Sequence, residues 1–388
     1  MVEMARAEVF SPDEIACVHV MNRAVRRCFL LGDDPITGKN FDHRKVWMEK
    51  KLEVHAANFG IDLLGTAIMS NHFHLVLRSR PDVVETWGDT EVARRWFMLC
   101  PKRKHEDGTA KEPSEPELNS IRNDPDKLRA IRRRLSDISW WMRLLCQHVG
   151  QRANHETKET GKFWEARFRA VRLLDESALL ACVAYVDLNP IRAALAELIE
   201  ESDFTSAKKR LEALLLESVD NTDAKSDCTI ARNSSLPDRS LAPIHVDERN
   251  GQLGPQPSSN SARCSDKGFL NMTAVEYLQL LDWTARQLLP DKRGSTPEDA
   301  PDILHRVGLT CRSWLDVVSN FGQLFHNVAG QPNEIARTLS LRSNIRLRVR
   351  TRVQRAFAAS LAAKSFAILD RRCFRLALAL FLTAPSAE

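Results

Sequence analysis

The chain of 388 residues holds only two tyrosines, Tyr185 and Tyr277, and 15 glycines. So little glycine excludes a collagen-like fibre. None of the nine cysteines stands in a Cys-x-x-Cys pair. That removes the usual signatures of a zinc ribbon or a disulfide framework, and reduced thiols in a cytoplasmic protein are expected. The longest apolar runs are too short, or too often broken by charge, to cross a bilayer. Residues Met1 to Phe10 carry Glu3, Arg6 and Glu8 where a signal peptide would need an apolar core. What remains is a globular composition, neither coiled-coil rod nor wholly disordered, long enough for two or three domains.

Charge is unevenly spread. The formal net charge is +5, from 56 basic and 51 acidic residues. From Arg337 onward 11 basic residues face only 2 acidic ones. Such a tail is either an electrostatic arm for a polyanion or a solvated terminus.

The first part of the chain alternates strand and helix signals. Ala16 to Met21 is a short strand-type run. Helical spacing of Val46, Trp47, Leu52, Val54 and Phe59 follows, and Gly60 supplies a stop. Ile61 to Met69 and His72 to Leu77 read as two strands joined by the tight turn Ser70-Asn71. This order predicts an α+β domain, a small antiparallel sheet with helices on one face. Helices are predicted over Pro81–Leu99, Leu128–Val149, Asp175–Leu188 and Ile191–Ile199, and a strand or ribbon within Gly161–Leu174. The domain is expected over residues 1–210, with a polar surface insertion at 101–127. Residues 217–268 are rich in Ser, Asp, Asn and Pro and read as a disordered linker. A mainly helical region with its own small core (Trp283, Trp314, Phe321, Phe325) is expected over 270–335, then a basic tail over 336–388.

Three pieces carry chemistry. In His72-Phe73-His74, residues two apart on a strand share one face, so both imidazoles turn one way and Phe73 the other. Two neutral imidazoles so placed can share a divalent cation, although a lone His-x-His pair is more often structural. Tyr185 lies in Tyr-Val-Asp-Leu-Asn189-Pro190, where a phenol can act as nucleophile once its proton is removed. Asn189, four residues on, shares its face if the helix continues. On spacing alone Asn189 reads as a helix cap before Pro190. Finally, Arg167, Arg169 and Arg172 alternate with Phe163, Trp164, Phe168 and Val171. Basic residues between aromatics suit phosphate contacts and base stacking; a solvated face over a buried row is the other reading.

Together these motifs resemble the HUH-type single-tyrosine transposases, in the REP-associated tyrosine transposase branch. The matching residues are Met69-Ser-Asn-His72-Phe-His74-Leu-Val-Leu77, Gly161-Lys-Phe-Trp-Glu-Ala-Arg-Phe168, Asp175-Glu176 and Tyr185-Val-Asp-Leu-Asn-Pro-Ile-Arg-Ala193, preceded by Val18 to Arg23. They cover about residues 10–200. The resemblance implies a ferredoxin-like sheet and an enzyme that cleaves and rejoins single-stranded DNA at palindromic repeat hairpins. It implies Tyr185 as the nucleophile that forms a 5′-phosphotyrosine. It implies His72 and His74, with Asn189 in the third position, as ligands of Mg or Mn. Asn71, Arg167, Arg169 and Arg172 are expected at the DNA. Asp187 stands where the family commonly has a histidine, so it is given no catalytic role. The expected partner is single-stranded or hairpin DNA and no membrane; monomer and homodimer both remain open. Two rival readings accompany this one. The chain is then a DNA-binding regulator that has lost the chemistry, or a zinc-type hydrolase recruiting His19 or His148 as third ligand.

Overall fold

Strands form where polar and apolar residues alternate. In the computed structural model, which describes residues 9–25, 28–35, 37–220, 236–246, 254–288 and 302–341, β1 (Cys17–Arg23) turns Val18 and Val20 to one face and His19 and Met21 to the other. It pairs antiparallel with β3 (His72–Ser79) on one side and β4 (Arg169–Leu173) on the other. β2 (Ile61–Ile68) completes the other edge against β3, and the two-residue β5 (Val328–Ala329) adds a parallel partner to β4. The order is β2-β3-β1-β4-β5. Its first four members have the strand order of a ferredoxin-like β-α-β-β-α-β unit, so the expected α+β class holds.

The crossover helices of that unit lie on one face. These are α1 (His43–Asn58) and α6 (Ile138–Thr157), with α2 (Pro81–Glu85), α3 (Asp89–Leu99), α4 (Glu115–Arg122) and α5 (Pro125–Leu135) between β3 and α6. Val18, Val20, Phe73, Leu75 and Leu77 of the sheet pack there against Met48, Leu52, Trp141 and Leu145. Two predicted helices are each split. Gly88 separates α2 from α3. Asp137 starts α6 afresh by accepting a bond from the Ser139 N–H at 2.7 Å. Both are cap positions, where glycine or a short acceptor beats continued helix. The polar insertion contributes α4 and the start of α5, anchored by buried Leu118 and Ile121.

The other sheet face receives α7 (Glu176–Asp187), nearly every residue of which is buried. Asp175 caps it, accepting from the Ala178 N–H at 2.8 Å. The short α8 (Asn189–Arg192) and α9 (Ser206–Asp220) follow, then α10 (Ala274–Leu288), α11 (Asp302–Arg306), α12 (Cys311–Leu324) and α13 (Pro332–Leu341).

Two expectations are corrected here. Trp283, Trp314, Phe321 and Phe325 do not form a separate core; they share one with Ala178 to Leu188 of α7 and with Val76 and Val171 of the sheet. The expected linker is in good part docked. Leu241 bridges to Leu63, and the Arg78 guanidinium donates to the carbonyls of Lys267 and Gly268 at 2.6 and 2.8 Å. Such a segment is held through backbone groups, so its sparse apolar content concealed it. The alternating arginines of Ile345 to Val353 lie outside the described residues. Among the described residues no helix is long and apolar enough to cross a membrane.

Candidate active site

Strand register decides which side chains meet. Met21 stands opposite His74 on one side and Arg169 on the other, and His19 lies opposite Val76 and Val171. Cross-strand partners share a face, so His19, Met21, His74 and Arg169 all turn toward α7. His19 Nε2 and His74 Nδ1 are 2.9 Å apart, one donating to the other, with the rings stacked at 5.1 Å.

Tyr185 descends from α7 onto this pair. Its ring meets His74 edge-on at 5.5 Å between centroids, and His19 at 6.0 Å. The Arg192 guanidinium lies over the phenol ring at 4.6 Å and donates to the Ser319 carbonyl of α12. Phe321 covers the ring from α12 at 5.5 Å. Gly322 faces the hydroxyl, and a Cβ there would sit 3.1 Å from Oη.

These groups border one cavity of about 210 Å³. Three arginines line it, Arg23, Arg169 and Arg192, and no carboxylate does. The Nε of Arg23 is buried without a hydrogen-bond partner. Neither Arg23 nor Arg169 forms an ion pair among the described residues. A cavity with three cationic forks and no counter-charge suits a small anion of phosphate size.

The same surroundings keep the imidazoles neutral. Burial, then Arg169, lowers the His19 pKa to about 3. Burial, then Arg23, lowers that of His72 to about 4. His74 is pushed well below the ordinary range by burial, then by His72, His19 and the nearby Arg192 and Arg23. Neutral rings offer lone pairs.

The expected site residues separate into groups. Tyr185 and His74 meet in the cavity. His72 lies beside His74, ring centroids 5.0 Å apart, but does not border the cavity. Its Nδ1 pairs with Asn71 Oδ1 at 2.6 Å. Asn71 thus fixes the His72 tautomer and leaves Nε2 as the lone-pair nitrogen. Asn189 is buried but is not a cap: Leu188 takes that position and no side-chain cap forms. Backbone bonds run from Leu188 N–H to Ala184 O and from Arg192 N–H to Leu188 O, both 2.9 Å, so the helical path continues past Asn189. No hydrogen bond joins Asn189 to His72, His74 or Tyr185 among the described residues. Two imidazoles and one carboxamide fit the donor chemistry of a divalent cation. No group of three or more His, Cys, Asp or Glu among the described residues is placed to hold a metal.

The arginine motif divides. Arg169 lines the cavity and Arg167 is exposed. Arg172, three residues from Arg169, falls on the opposite face and pairs with Glu14 at 2.6 Å. It is therefore already neutralised. The interleaved aromatics are core rather than stacking platforms. Phe163 and Phe168 are buried, and the Trp164 indole donates to the Cys146 carbonyl at 2.8 Å.

Sequence reading passed over Arg23 and Arg192 as site residues and left His19 unplaced; the alternation in Val18-His19-Val20 carried the signal for His19. His148, the other candidate ligand, lies on the α1–α6 side, under the influence of Lys51 and Arg152.

No family model and no curated protein matches the chain. Among solved structures it is similar to a REP-associated tyrosine transposase bound to a REP hairpin. Identity is 12% and the TM-score 0.28, with 59% of this chain and 94% of that one covered.

Proposed function

We propose that this protein is a DNA-cleaving and DNA-joining enzyme of the HUH single-tyrosine type, a transposase or a domesticated relative. The observation that carries the reading is the convergence of Tyr185, the His19–His74 pair and three arginines on one cavity without a carboxylate. In the proposed reaction Tyr185 Oη attacks the phosphorus of a single-stranded DNA phosphodiester. The bond from phosphorus to the 3′ oxygen breaks, leaving a 5′-phosphotyrosine and a 3′-hydroxyl. Arg23, Arg169 and Arg192 seat the phosphate and offset its developing charge. The phenol proton passes to His19, the neutral imidazole of the cavity that the cation would not use, and from there to the departing 3′ oxygen.

A divalent cation, Mg or Mn, would be held by His72 and His74 with the Asn189 amide. Its chemistry there is to withdraw charge from the scissile phosphate.

The test is a covalent adduct. Purified protein is mixed with a labelled single-stranded hairpin and Mg or Mn, then run on a denaturing gel. A slow-migrating species is expected from the native chain and none from Tyr185→Phe. Its absence, or its survival in Tyr185→Phe, overturns the reading.

A second reading is a DNA-binding regulator without chemistry. It is favoured by α12, whose Phe321 covers the Tyr185 ring and whose Gly322 lies beside the hydroxyl. Hairpin binding unchanged in His72→Ala and Tyr185→Phe, with no adduct from the native chain, would select it.

A further inference from the structure

The outer surface of the α1–α3–α6 layer, across the sheet from the cavity, carries a second basic cluster of distinct construction. The Trp140 ring has Arg134 at 4.6 Å and Arg143 at 4.7 Å, and Trp96 packs edge-on against it at 5.6 Å. Farther along α6, Arg152 lies over Trp47 of α1 at 3.9 Å. Burial raises the Cys100 pKa, with Lys51, Arg134 and Arg143 acting against it, and burial lowers that of His148, with Lys51, Arg152 and Lys104 adding to the effect. Lys51 thus lies near both stacked groups.

Its charge is unspent. None of these three arginines and two lysines forms an ion pair or a side-chain hydrogen bond among the described residues. Neighbouring arginines behave otherwise: Arg95 binds Glu91 at 2.5 Å, Arg103 binds Glu117 at 2.9 Å and Arg132 binds Asp89 at 2.9 Å. Stacking on tryptophan occupies the flat face of a guanidinium and leaves its in-plane N–H donors directed outward. That is a pre-set arrangement of forks suited to phosphate oxygens. Arg143 and Arg152, nine residues apart on α6, are separated by about 13 Å along its axis and by about half a turn around it, so a backbone held by both crosses over the helix.

We propose that this surface binds the sugar-phosphate backbone of a nucleic acid, as an anchoring site separate from the cavity that holds Tyr185. The arginines use the tryptophan faces, so the contact is to phosphate rather than by base stacking, and it is insensitive to sequence. The inference rests on the proposed function only for the choice of a DNA hairpin as probe.

The experiment measures hairpin binding by fluorescence anisotropy in Tyr185→Phe protein, so that no covalent step intrudes, from about 50 to 200 mM salt. The comparison is the same protein carrying Arg134→Gln, Arg143→Gln and Arg152→Gln. Loss of roughly three phosphate contacts should weaken binding at least about tenfold and flatten the log–log salt slope by roughly 2–3. The thermal midpoint checks folding, and the exposed pair Lys104→Gln with Arg143→Gln gives a milder variant expected to fall between. Unchanged affinity and slope in the triple variant, or no hairpin binding by Tyr185→Phe protein, overturns the proposal. A native chain that yields no adduct yet shows this arginine-dependent binding refutes the catalytic reading and leaves the anchoring site standing.

Discussion

His55 shows what a single misplaced polar group costs. It sits on α1 with both ring nitrogens buried and unpartnered, edge-on to Phe59 at 5.1 Å and Trp141 at 5.0 Å. Burial, then Lys51 and His148, holds its pKa well below the ordinary range. An unpaired buried polar group costs about 1–3 kcal/mol. His55→Leu, of similar bulk, is therefore expected to raise the unfolding free energy by about that amount in urea titration at pH 7. A loss of stability would show that the imidazole has a role packing does not reveal. Nothing in Glu53-Val-His55-Ala-Ala57 marks this residue, because a helical stripe shows which face is buried and not what each position needs. His72, His74 and Tyr185 were legible for the opposite reason: period two on a strand and a rare phenol in a dense motif are local signals. His19 was not placed, because its meeting with His74 depends on β1–β3 register across 55 residues.

At the scale of elements, Asp187 fastens the end of α7 to two others. Its carboxylate accepts from Ser206 Oγ at 2.5 Å, from the Ala207 N–H at 2.9 Å and from Tyr277 Oη at 2.6 Å. α9 and α10 are thereby tied to the helix that carries Tyr185. Burial raises the Asp187 pKa, against the lowering effect of Ser206 and Tyr277. A hydrogen bond to a charged group contributes about 1.5–3 kcal/mol. Tyr277→Phe should lose about that much stability while keeping any Tyr185 adduct, since the cavity contains neither residue. An unaltered urea midpoint would mean the bond contributes nothing. The C-terminal helices were predicted as elements but not as neighbours of α7. The stripe Trp314, Val317, Val318 and Phe321 announces a buried face, and only long-range packing chooses what covers it. The docked part of residues 236–268 was missed because Asp62, Arg78, Arg80 and Ser265 hold it by a buried polar network that hydrophobic patterning cannot register.

At the scale of the whole molecule, the sheet divides a cavity of depressed imidazoles from a surface of stacked arginines, and buried imidazoles on both of its sides make the fold sensitive to acid. His19, His55, His72, His74 and His148 all have folded pKa values below the unfolded value near 6.5, with burial the leading cause for each. Below pH 6.5 the unfolded chain takes up protons that the folded chain refuses, so stability rises with pH across this window. It is fully present above about pH 6.5 and is lost as pH falls toward 4 for His72 and His148, and toward 3 for His19. Each histidine contributes a slope of up to about 1.4 kcal/mol per pH unit while only its unfolded form is protonated. Asp137, Asp187 and Asp238, raised by burial, act in the opposite sense, gaining stability as pH drops through their folded values. Five histidines outweigh three aspartates at the upper end of the window, because the histidine loss begins near pH 6.5. Urea midpoints measured from pH 8 to pH 4 should therefore stay level down to about pH 6.5 and then descend steeply, and His55→Leu should descend less steeply by one histidine's share. A midpoint that stays level down to pH 5 would mean that these imidazoles are hydrated, and the water-poor packing around both the cavity and the α1–α6 interface would have to be abandoned.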